Sequence, residues 1–166
     1  MIFETERLII RELTADDKEL FFDLQGNAKV MNPIPLEAMS RAESDEKLED
    51  LIKLYKEHTD RIYWAIDLKE NVEFIGIAML LTNEDGDKEL GYRLREKHWK
   101  QGYGTETAEG VIQYSFDQLK LEKITADANV SNLGSLKILS KLMQPVKEYY
   151  CKELDCMNQR FELVRK

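Results

Sequence analysis

The spacing of apolar residues in the first third of the chain predicts one strand followed by two helices. Arg7-Leu-Ile-Ile-Arg-Glu-Leu13 is rich in β-branched residues, as strands are. A helix is predicted to start in the polar Thr14–Asp17 and to bury Leu20, Phe21 and Leu24, which recur at helical spacing. The segment 25–39 has loop character, and Ala42 to His58 predicts a charged surface helix with one apolar stripe.

The middle of the chain predicts three consecutive strands. Apolar runs at Ile62–Asp67 and Glu73–Leu81 are separated by a short polar turn, and turn residues lead into a third run at Glu89–Leu94. Short connections between successive strands favour an antiparallel meander. Gly76 lies inside the second strand, where a glycine marks a bulge or a close backbone contact.

The last third predicts a helix, a strand, a second helix and a hairpin. The helix covers about Thr105 to Leu119, and the strand covers Lys123–Ala128. This order implies a parallel crossover. Asn132 is an N-cap for a helix from Leu133 to Leu142. The helix ends before Pro145 without a glycine cap, so the sequence does not define the residue at which the next strand starts. The hairpin is predicted at 146–151 and 160–164, and together the elements indicate an α+β fold with a mixed, mostly antiparallel sheet.

The composition is that of one soluble globular domain, 1–166. The chain has 166 residues, of which 43% are hydrophobic and 34% charged. No apolar run approaches the length of a membrane span, and the first residues lack the features of a signal peptide. We therefore expect a cytoplasmic protein, monomeric or homodimeric, with no membrane partner.

The net charge narrows the choice of ligands. A formal charge of −8 argues against nucleic acid as a partner, because backbone binding needs clustered Lys and Arg. The acidic surface favours the approach of cationic amines. An anionic ligand would need local positive charge, for which Lys97, Lys100, Lys137 and Lys141 are the candidates.

The cysteines and histidines do not suggest a metal site or a thiol nucleophile. Cys151 and Cys156 lie close together in the predicted hairpin, and we expect free thiols with a structural role. His58 and His98 are the only histidines, and no His/Cys group has ligand spacing. No metal is predicted.

The most informative segment joins the Glu89 strand to the following helix. Gly102 and Gly104 precede that helix, whose first N–H groups lack intrahelical partners and form a site for a phosphate group. A P-loop is excluded because Thr105-Glu106 replaces the Lys-Ser/Thr ending. A dinucleotide fingerprint is excluded because Thr107 stands where the third glycine is required.

Four separated motifs in this chain resemble those of the GCN5-related N-acetyltransferases, in particular the branch of ribosomal-protein N-terminal acetyltransferases. The motifs span nearly the whole chain: Glu4-Thr-Glu-Arg-Leu-Ile-Ile-Arg-Glu-Leu13, Glu89-Leu-Gly-Tyr92, Trp99-Lys-Gln-Gly-Tyr-Gly-Thr-Glu106 and Asn132-Leu-Gly-Ser135. The resemblance implies the fold of that family, in which a parallel strand pair splays apart, and it implies acetyl-coenzyme A as cosubstrate.

The resemblance also implies which residues contact coenzyme A. The pantetheine arm would lie along the strand at Arg93 and Leu94, and the loop would hold the pyrophosphate. The loop residues are Trp99, Lys100, Gln101, Gly102, Tyr103, Gly104 and Thr105. Asn132 and Ser135 would complete the site, and for Asn132 this role is compatible with a plain N-cap.

The catalytic roles remain open between alternatives. Glu89 is either the general base, acting through water, or a surface residue that balances Lys88. The N–H near Leu94 would stabilise the oxyanion. The general acid would be Ser135 or a tyrosine, Tyr149 or Tyr150, and its contribution should be small because a thiolate is a good leaving group.

Three functions remain open for the acceptor. The first is an acetyltransferase acting on a peptide or protein N-terminal amine. Such an amine has a reference pKa near 8, whereas that of a lysine side chain is near 10.4, so a general base is less necessary for the N-terminal amine. The second acetylates a small amine such as a polyamine, an amino acid or an antibiotic. The third is an acyl-coenzyme-A-binding module without turnover.

Overall fold

The computed structural model describes all residues from Met1 to Lys166 and contains one eight-stranded sheet with the order β1-β2-β3-β4-β5-β6-β8-β7. The strands β1 to β8 are Phe3–Glu4, Leu8–Arg11, Ile62–Leu68, Phe74–Thr82, Lys88–Leu94, Lys123–Asn129, Gln144–Cys151 and Cys156–Val164. The helices α1 to α5 are Lys18–Gln25, Ala28–Met31, Arg41–Glu57, Tyr103–Asp117 and Leu133–Leu142. None of the helices is both long and apolar enough to cross a membrane.

The predicted mixed sheet is confirmed, and so is the meander of β3, β4 and β5. Every strand pair in the sheet is antiparallel except β5 with β6. That parallel pair meets at a single register position, where Glu89 lies opposite Thr125. Since each of these strands has seven residues, the two strands separate beyond that point and leave a gap in the sheet.

Several predicted boundaries differ from the structure; β8, for example, begins at Cys156 rather than at residue 160. Helix α4 begins at Tyr103 rather than Thr105, because Gly102 adopts a φ of 84° and acts as the N-cap. The segment 25–39, predicted as a loop, contains the short helix α2. The Asn27 side chain caps α2 by accepting a hydrogen bond from Lys29 N.

The helices cover the two faces of the sheet unequally. Helices α4 and α5 pack on one face, where their apolar residues join Leu90, Leu94, Ile124 and Phe161 in one core. Helices α1 to α3 pack on the other face against β3 and β4. Because side chains alternate along a strand, neighbouring residues of β5 and β6 belong to different faces.

Gly76 lies at both a β-bulge and a close backbone contact, the two features that a glycine inside a strand predicts. The register between β3 and β4 shifts next to it, as in a β-bulge. A Cβ at this position would lie 2.1 Å from the carbonyl oxygen of Arg93. Only glycine therefore allows β4 to approach β5 this closely.

The C-terminal hairpin follows α5 directly. Met143 has extended backbone angles (φ −137°, ψ 170°), and β7 starts at the next residue without a glycine cap. Cys151 and Cys156 face each other across the hairpin as free thiols, in agreement with the sequence prediction.

Candidate functional site

The N-terminus of α4 presents backbone donors at one end of a groove. Gly102 and Lys100 both have positive φ, 84° and 61°, and this bends the loop into the helix. The first helical hydrogen bond runs from Glu106 N to Gly102 O at 3.1 Å. The amides of Tyr103, Gly104 and Thr105 precede it and have no intrahelical acceptor, so they are available to an anion.

The groove has a volume of about 500 Å³ and a cationic lining. Its 20 lining residues include no Asp or Glu, although the chain carries a net charge of −8. Positive charge comes from the side chains Lys29, Arg93, Lys100, Lys137 and Lys141. The groove therefore suits an anionic ligand far better than the rest of the surface does.

The structure brings together nearly all of the residues predicted to contact the cofactor. Arg93, Leu94, Trp99, Lys100, Gly102, Tyr103, Gly104, Thr105, Asn132 and Ser135 line the groove. Gln101 does not line it. Its carbonyl accepts a 2.9 Å hydrogen bond from Arg7 Nη1, which holds the loop from outside.

An anchor for the loop that the sequence analysis did not identify is Glu106. Its carboxylate accepts hydrogen bonds from Thr5 Oγ1 at 2.6 Å, from Arg7 N at 2.7 Å and from Arg7 Nε at 2.7 Å. Burial alone would raise the pKa of Glu106, but these hydrogen bonds outweigh it and the pKa is lowered. The pattern that could have indicated the anchor is Thr5-Glu-Arg7 together with Glu106, which belong to two of the motifs.

The end of β5 opens into the gap between the parted strands. Arg95 N donates to Ile75 O of β4 at 2.8 Å. Since backbone groups alternate sides along a strand, the N–H and C=O of Leu94 point away from β4, towards the gap. The carbonyl is bound by the Trp99 indole at 2.8 Å, whereas the N–H is directed at the space where β6 has diverged.

The floor of the groove is made by Tyr92, Gly104 and Ile138. A Cβ on Gly104 would lie 3.1 Å from Ile138 Cδ1 and 3.3 Å from Tyr92 Cε2, so a side chain there would fill the cradle. The Tyr92 hydroxyl is buried without a hydrogen-bond partner, and burial raises its pKa. Ser135 on α5 is its polar neighbour. Asn132 caps α5 as predicted, with Oδ1 accepting from Ser135 N at 3.3 Å.

Glu89 lies outside the groove lining, where β5 and β6 still pair. Burial raises its pKa to about 7, and the negative charge of Asp127 adds to this while Arg160 opposes it. The side chain sits on the face of the sheet opposite α4, on the same face as Arg93. It is therefore a carboxylate poised to exchange protons near neutral pH.

Tyr149 and Ser135 are not brought together. The Tyr149 hydroxyl donates a hydrogen bond to Asp127 and its pKa is raised, first by burial and then by that bond. Asp127 also accepts two hydrogen bonds from Arg160, at 2.9 and 2.8 Å. Asp127 alternates with Ala126 and Ala128, which pack under the helices, so Tyr149 lies on the other face of the sheet from Ser135.

Arg93 lies on the side of β5 opposite Tyr92 and Leu94. Its Nη1 donates to Gln25 Oε1 of α1 at 2.9 Å and contacts Met31 Sδ of α2 at 3.9 Å. The guanidinium thus faces α1 and α2 rather than the α4 amides.

Comparison with known proteins identifies one family. The protein-family model described as "Acetyltransferase (GNAT) domain" matches residues 7–142 of this chain. The uncharacterized N-acetyltransferase YoaA of Bacillus subtilis is 31% identical over 144 residues, covering 85% of this chain and 81% of YoaA.

Solved structures share the fold at low identity. A GNAT-family acetyltransferase from Bacillus anthracis aligns with a TM-score of 0.84 at 18% identity, covering 97% of this chain and 96% of that one. RimL, described as a ribosomal L7/L12 alpha-N-protein acetyltransferase in complex with coenzyme A, aligns with a TM-score of 0.80 at 14% identity, covering 98% of this chain and 97% of RimL. A mutant of the spermidine N-acetyltransferase SpeG of Vibrio cholerae aligns with a TM-score of 0.74 at 18% identity, covering 96% of this chain and 95% of SpeG.

Proposed function

This chain belongs to the GNAT acetyltransferase family, and from that membership we propose that it transfers the acetyl group of acetyl-coenzyme A to a primary amine by direct attack in a ternary complex. The observation that carries the proposal is the groove, where the free amides at the start of α4 meet the gap between β5 and β6. Acetyl-coenzyme A supplies an activated thioester there when bound.

The residues present fit that ligand. The amides of Tyr103, Gly104 and Thr105 would hold the pyrophosphate, with Lys137 and Lys141 providing further positive charge. The floor at Gly104 has no room for a side chain, and this leaves space for a narrow pantetheine chain along β5.

The transfer forms a C–N bond and breaks the C–S bond, so one proton must leave the amine and the thiolate must be neutralised or released. Glu89 would take the amine proton through water, and its pKa of about 7 lies close to the reference value near 8 of an α-amine. The Leu94 N–H would donate to the developing oxyanion.

Ser135 is the better candidate for the general acid. It lines the groove beside the buried Tyr92 hydroxyl, whereas the Tyr149 hydroxyl is bound to Asp127 on the other face. The Ser135 hydroxyl would donate a hydrogen bond to the departing thiolate, which then takes its proton from solvent, and the gain should be small because a thiol has a pKa near 8.5.

For the acceptor we propose an α-amine, as at the N-terminus of a peptide or protein, in keeping with the likeness of the motifs to the ribosomal-protein branch. The absence of carboxylates from the groove lining disfavours a polyamine, which carries several positive charges. A cytoplasmic location and a monomeric or homodimeric state stay predictions from the sequence.

Calorimetric titration with acetyl-coenzyme A and a thiol-release assay test the proposal. The acceptors are a short peptide with a free N-terminus, an Nα-blocked lysine and spermidine. Binding with turnover of the peptide supports the proposal. Binding without turnover of any amine would identify an acyl-coenzyme-A-binding module instead, and no binding would overturn the assignment of the groove.

A further inference from the structure

Asp127 lies on β6 where the gap between β5 and β6 begins. Glu89 and Thr125 lie opposite each other at the single paired position of the two strands. Asp127 is two residues further along β6, so its side chain shares the sheet face of Thr125 and Glu89. If the pairing continued, Asp127 would lie opposite Gly91, which has no side chain. The side chain of Glu89 can therefore lean along this face towards Asp127.

Asp127 is held in one orientation by two residues of the C-terminal hairpin. Arg160, its register partner on β8, donates from Nε to Oδ1 at 2.9 Å and from Nη2 to Oδ2 at 2.8 Å. The Tyr149 hydroxyl on β7 donates to Oδ2 as well. The side chains of Asp127 and Arg160 are only 9% and 5% exposed, so solvent competes little for these charge-assisted hydrogen bonds.

Arg160 is in turn fixed by the turn that precedes β5. Its Nη1 donates to Asp85 Oδ2 at 2.7 Å, and its Nη2 donates to Glu84 Oε1 at 2.9 Å. Its guanidinium carbon also lies 4.9 Å from the centre of the Tyr149 ring. The guanidinium thus connects β8 to the start of β5 and fixes the Asp127 carboxylate between the two strands.

The hydrogen bonds of Asp127 decide which carboxyl group of the pair carries a proton. A carboxylate has about four acceptor positions, and in Asp127 three are used by Arg160 and Tyr149. Glu89 is close enough for a hydrogen bond between the two carboxyl groups, which requires a proton on one of them. That proton belongs on Glu89, because three donated hydrogen bonds favour the charged form of Asp127.

The charges around Glu89 come from several elements of the fold. Burial is the largest cause of its raised pKa, the negative charge of Asp127 is the next, and Arg160 opposes both. On β4 its register partner is the uncharged Leu81. The other charged side chains joined to this cluster are Glu84 and Asp85 in the turn before β5 and Lys147 on β7.

We propose that Asp127 is the positioning residue of the general base: the protonated Glu89 donates a hydrogen bond to the Asp127 carboxylate, which holds Glu89 at the start of the gap. Glu89 is the base in the proposed function, on which this inference rests. The proton passes from the amine through water to Glu89 as the C–N bond forms and the C–S bond breaks. Glu89 then returns the proton to solvent, while Asp127 stays ionised and touches no substrate.

Asp127→Asn tests the proposal through the pH profile of kcat/KM for thiol release. Asparagine keeps the shape of the side chain but removes the charge next to Glu89. We expect the inflection to move down from near pH 7 by about one unit, and to stay above the ordinary value because burial still raises the pKa. The profiles should cross, with the variant at least equal to the wild type at pH 6. At pH 8 it should be several-fold slower, because a base of lower pKa accepts a proton less readily.

Two further variants separate positioning from a general structural effect. Tyr149→Phe removes one donor from Asp127 but keeps its charge, so the carboxylate becomes a stronger acceptor for Glu89. The inflection should then move up, by a fraction of a pH unit. Asp117→Asn removes an equal charge from an exposed position at the end of α4 and should keep the profile of the wild type.

The Kd of acetyl-coenzyme A, measured by calorimetry, reports whether Asp127→Asn is folded, because Asp127 does not line the groove. A folded Asp127→Asn protein with the inflection of the wild type overturns the proposal. If this variant does not fold, Tyr149→Phe decides, and an inflection that does not move up overturns the proposal.

Failure of the proposed function is seen separately, as no thiol release by the wild type with any amine. In that case, carbon NMR of protein labelled at the glutamate carboxyl groups follows the titration of Glu89 directly, and Glu89→Gln assigns its signal. We expect a lower midpoint in Asp127→Asn and a higher one in Tyr149→Phe than in the wild type. Equal midpoints in the three proteins overturn the inference.

Discussion

The indole Nε1 of Trp99 donates a 2.8 Å hydrogen bond to the carbonyl oxygen of Leu94, the last residue of β5. In a continuous sheet this carbonyl would pair with β6, but β6 has already diverged there. Trp99 therefore takes the place of the missing strand and fixes the peptide group at the opening of the gap. This explains why a tryptophan precedes the loop, and it adds a structural role to the cofactor contact proposed for it.

Trp99→Phe should expose the importance of this hydrogen bond, because phenylalanine keeps an aromatic ring but has no donor. We expect the free energy of unfolding to fall by about 1–2 kcal/mol, since a buried carbonyl loses its partner. We also expect kcat to fall about tenfold, because the Leu94 N–H is less well oriented. Chemical denaturation and thiol release measure the two effects. A variant with the stability and kcat of the wild type would contradict this role.

Glu106→Gln should loosen the loop that precedes α4. The amide keeps an acceptor for Thr5 but loses the ion pair with Arg7, whose Nη1 also holds the Gln101 carbonyl. We expect the Kd for acetyl-coenzyme A to rise about fivefold to tenfold, with a stability loss of about 1 kcal/mol. Glu109→Gln, three residues along the same helix and exposed, is the matched control. Equal affinity in both variants would exclude the anchor.

The order of the elements and the glycine-containing loop before α4 are predictable because their signals are local. Asn132, for example, caps α5 through Ser135, three residues away. The predicted start of α4, Thr105, lies two residues late because the sequence pattern assigns Gly102 to the loop, whereas its positive φ makes it the N-cap.

The side-chain pairings that the sequence does not predict depend on distant contacts. Arg93 and Gln25 are 68 residues apart, and neither residue carries a motif that indicates their pairing. The position of Tyr149 in the chain predicts an alternative to Ser135, but β7 joins the sheet beyond β8, and the Tyr149 hydroxyl donates to Asp127. The partners of Arg93 and Tyr149 depend on the order of the strands and on the face of the sheet that each side chain occupies. Neither property follows from spacing along the chain.

Lys137 and Lys141 lie one helical turn apart on α5, and both line the groove. The double variant Lys137→Gln/Lys141→Gln should raise the Kd for acetyl-coenzyme A about tenfold at low salt. The difference from the wild type should shrink as salt is added, because exposed charges are screened. Calorimetry at two ionic strengths measures this. Lys152→Gln, exposed in the hairpin, is the control, and an equal weakening there would point to net charge rather than to these two lysines.

Glu89 should couple activity and stability to pH in opposite directions. Its pKa is raised to about 7 in the folded protein, from an ordinary value of about 4.5. Stability from the protonated carboxyl is present below the ordinary pKa and is lost as pH rises through 7, whereas a general base gains activity over the same interval. We therefore expect kcat/KM to rise with an inflection near pH 7 while the free energy of unfolding falls, by about 1–3 kcal/mol between pH 5 and 8.

Glu89→Gln should flatten both profiles, because the amide does not titrate. We expect its kcat/KM at pH 8 to be about 100-fold below the wild type, the usual contribution of a general base. Its stability at pH 8 should equal or exceed that of the wild type, since no buried charge remains next to Asp127. Glu148→Gln, exposed on β7, should keep both profiles of the wild type. If Glu89→Gln retained full turnover but lost the pH dependence of stability, Glu89 would be a buried structural carboxyl and the base would have to be sought elsewhere along the groove.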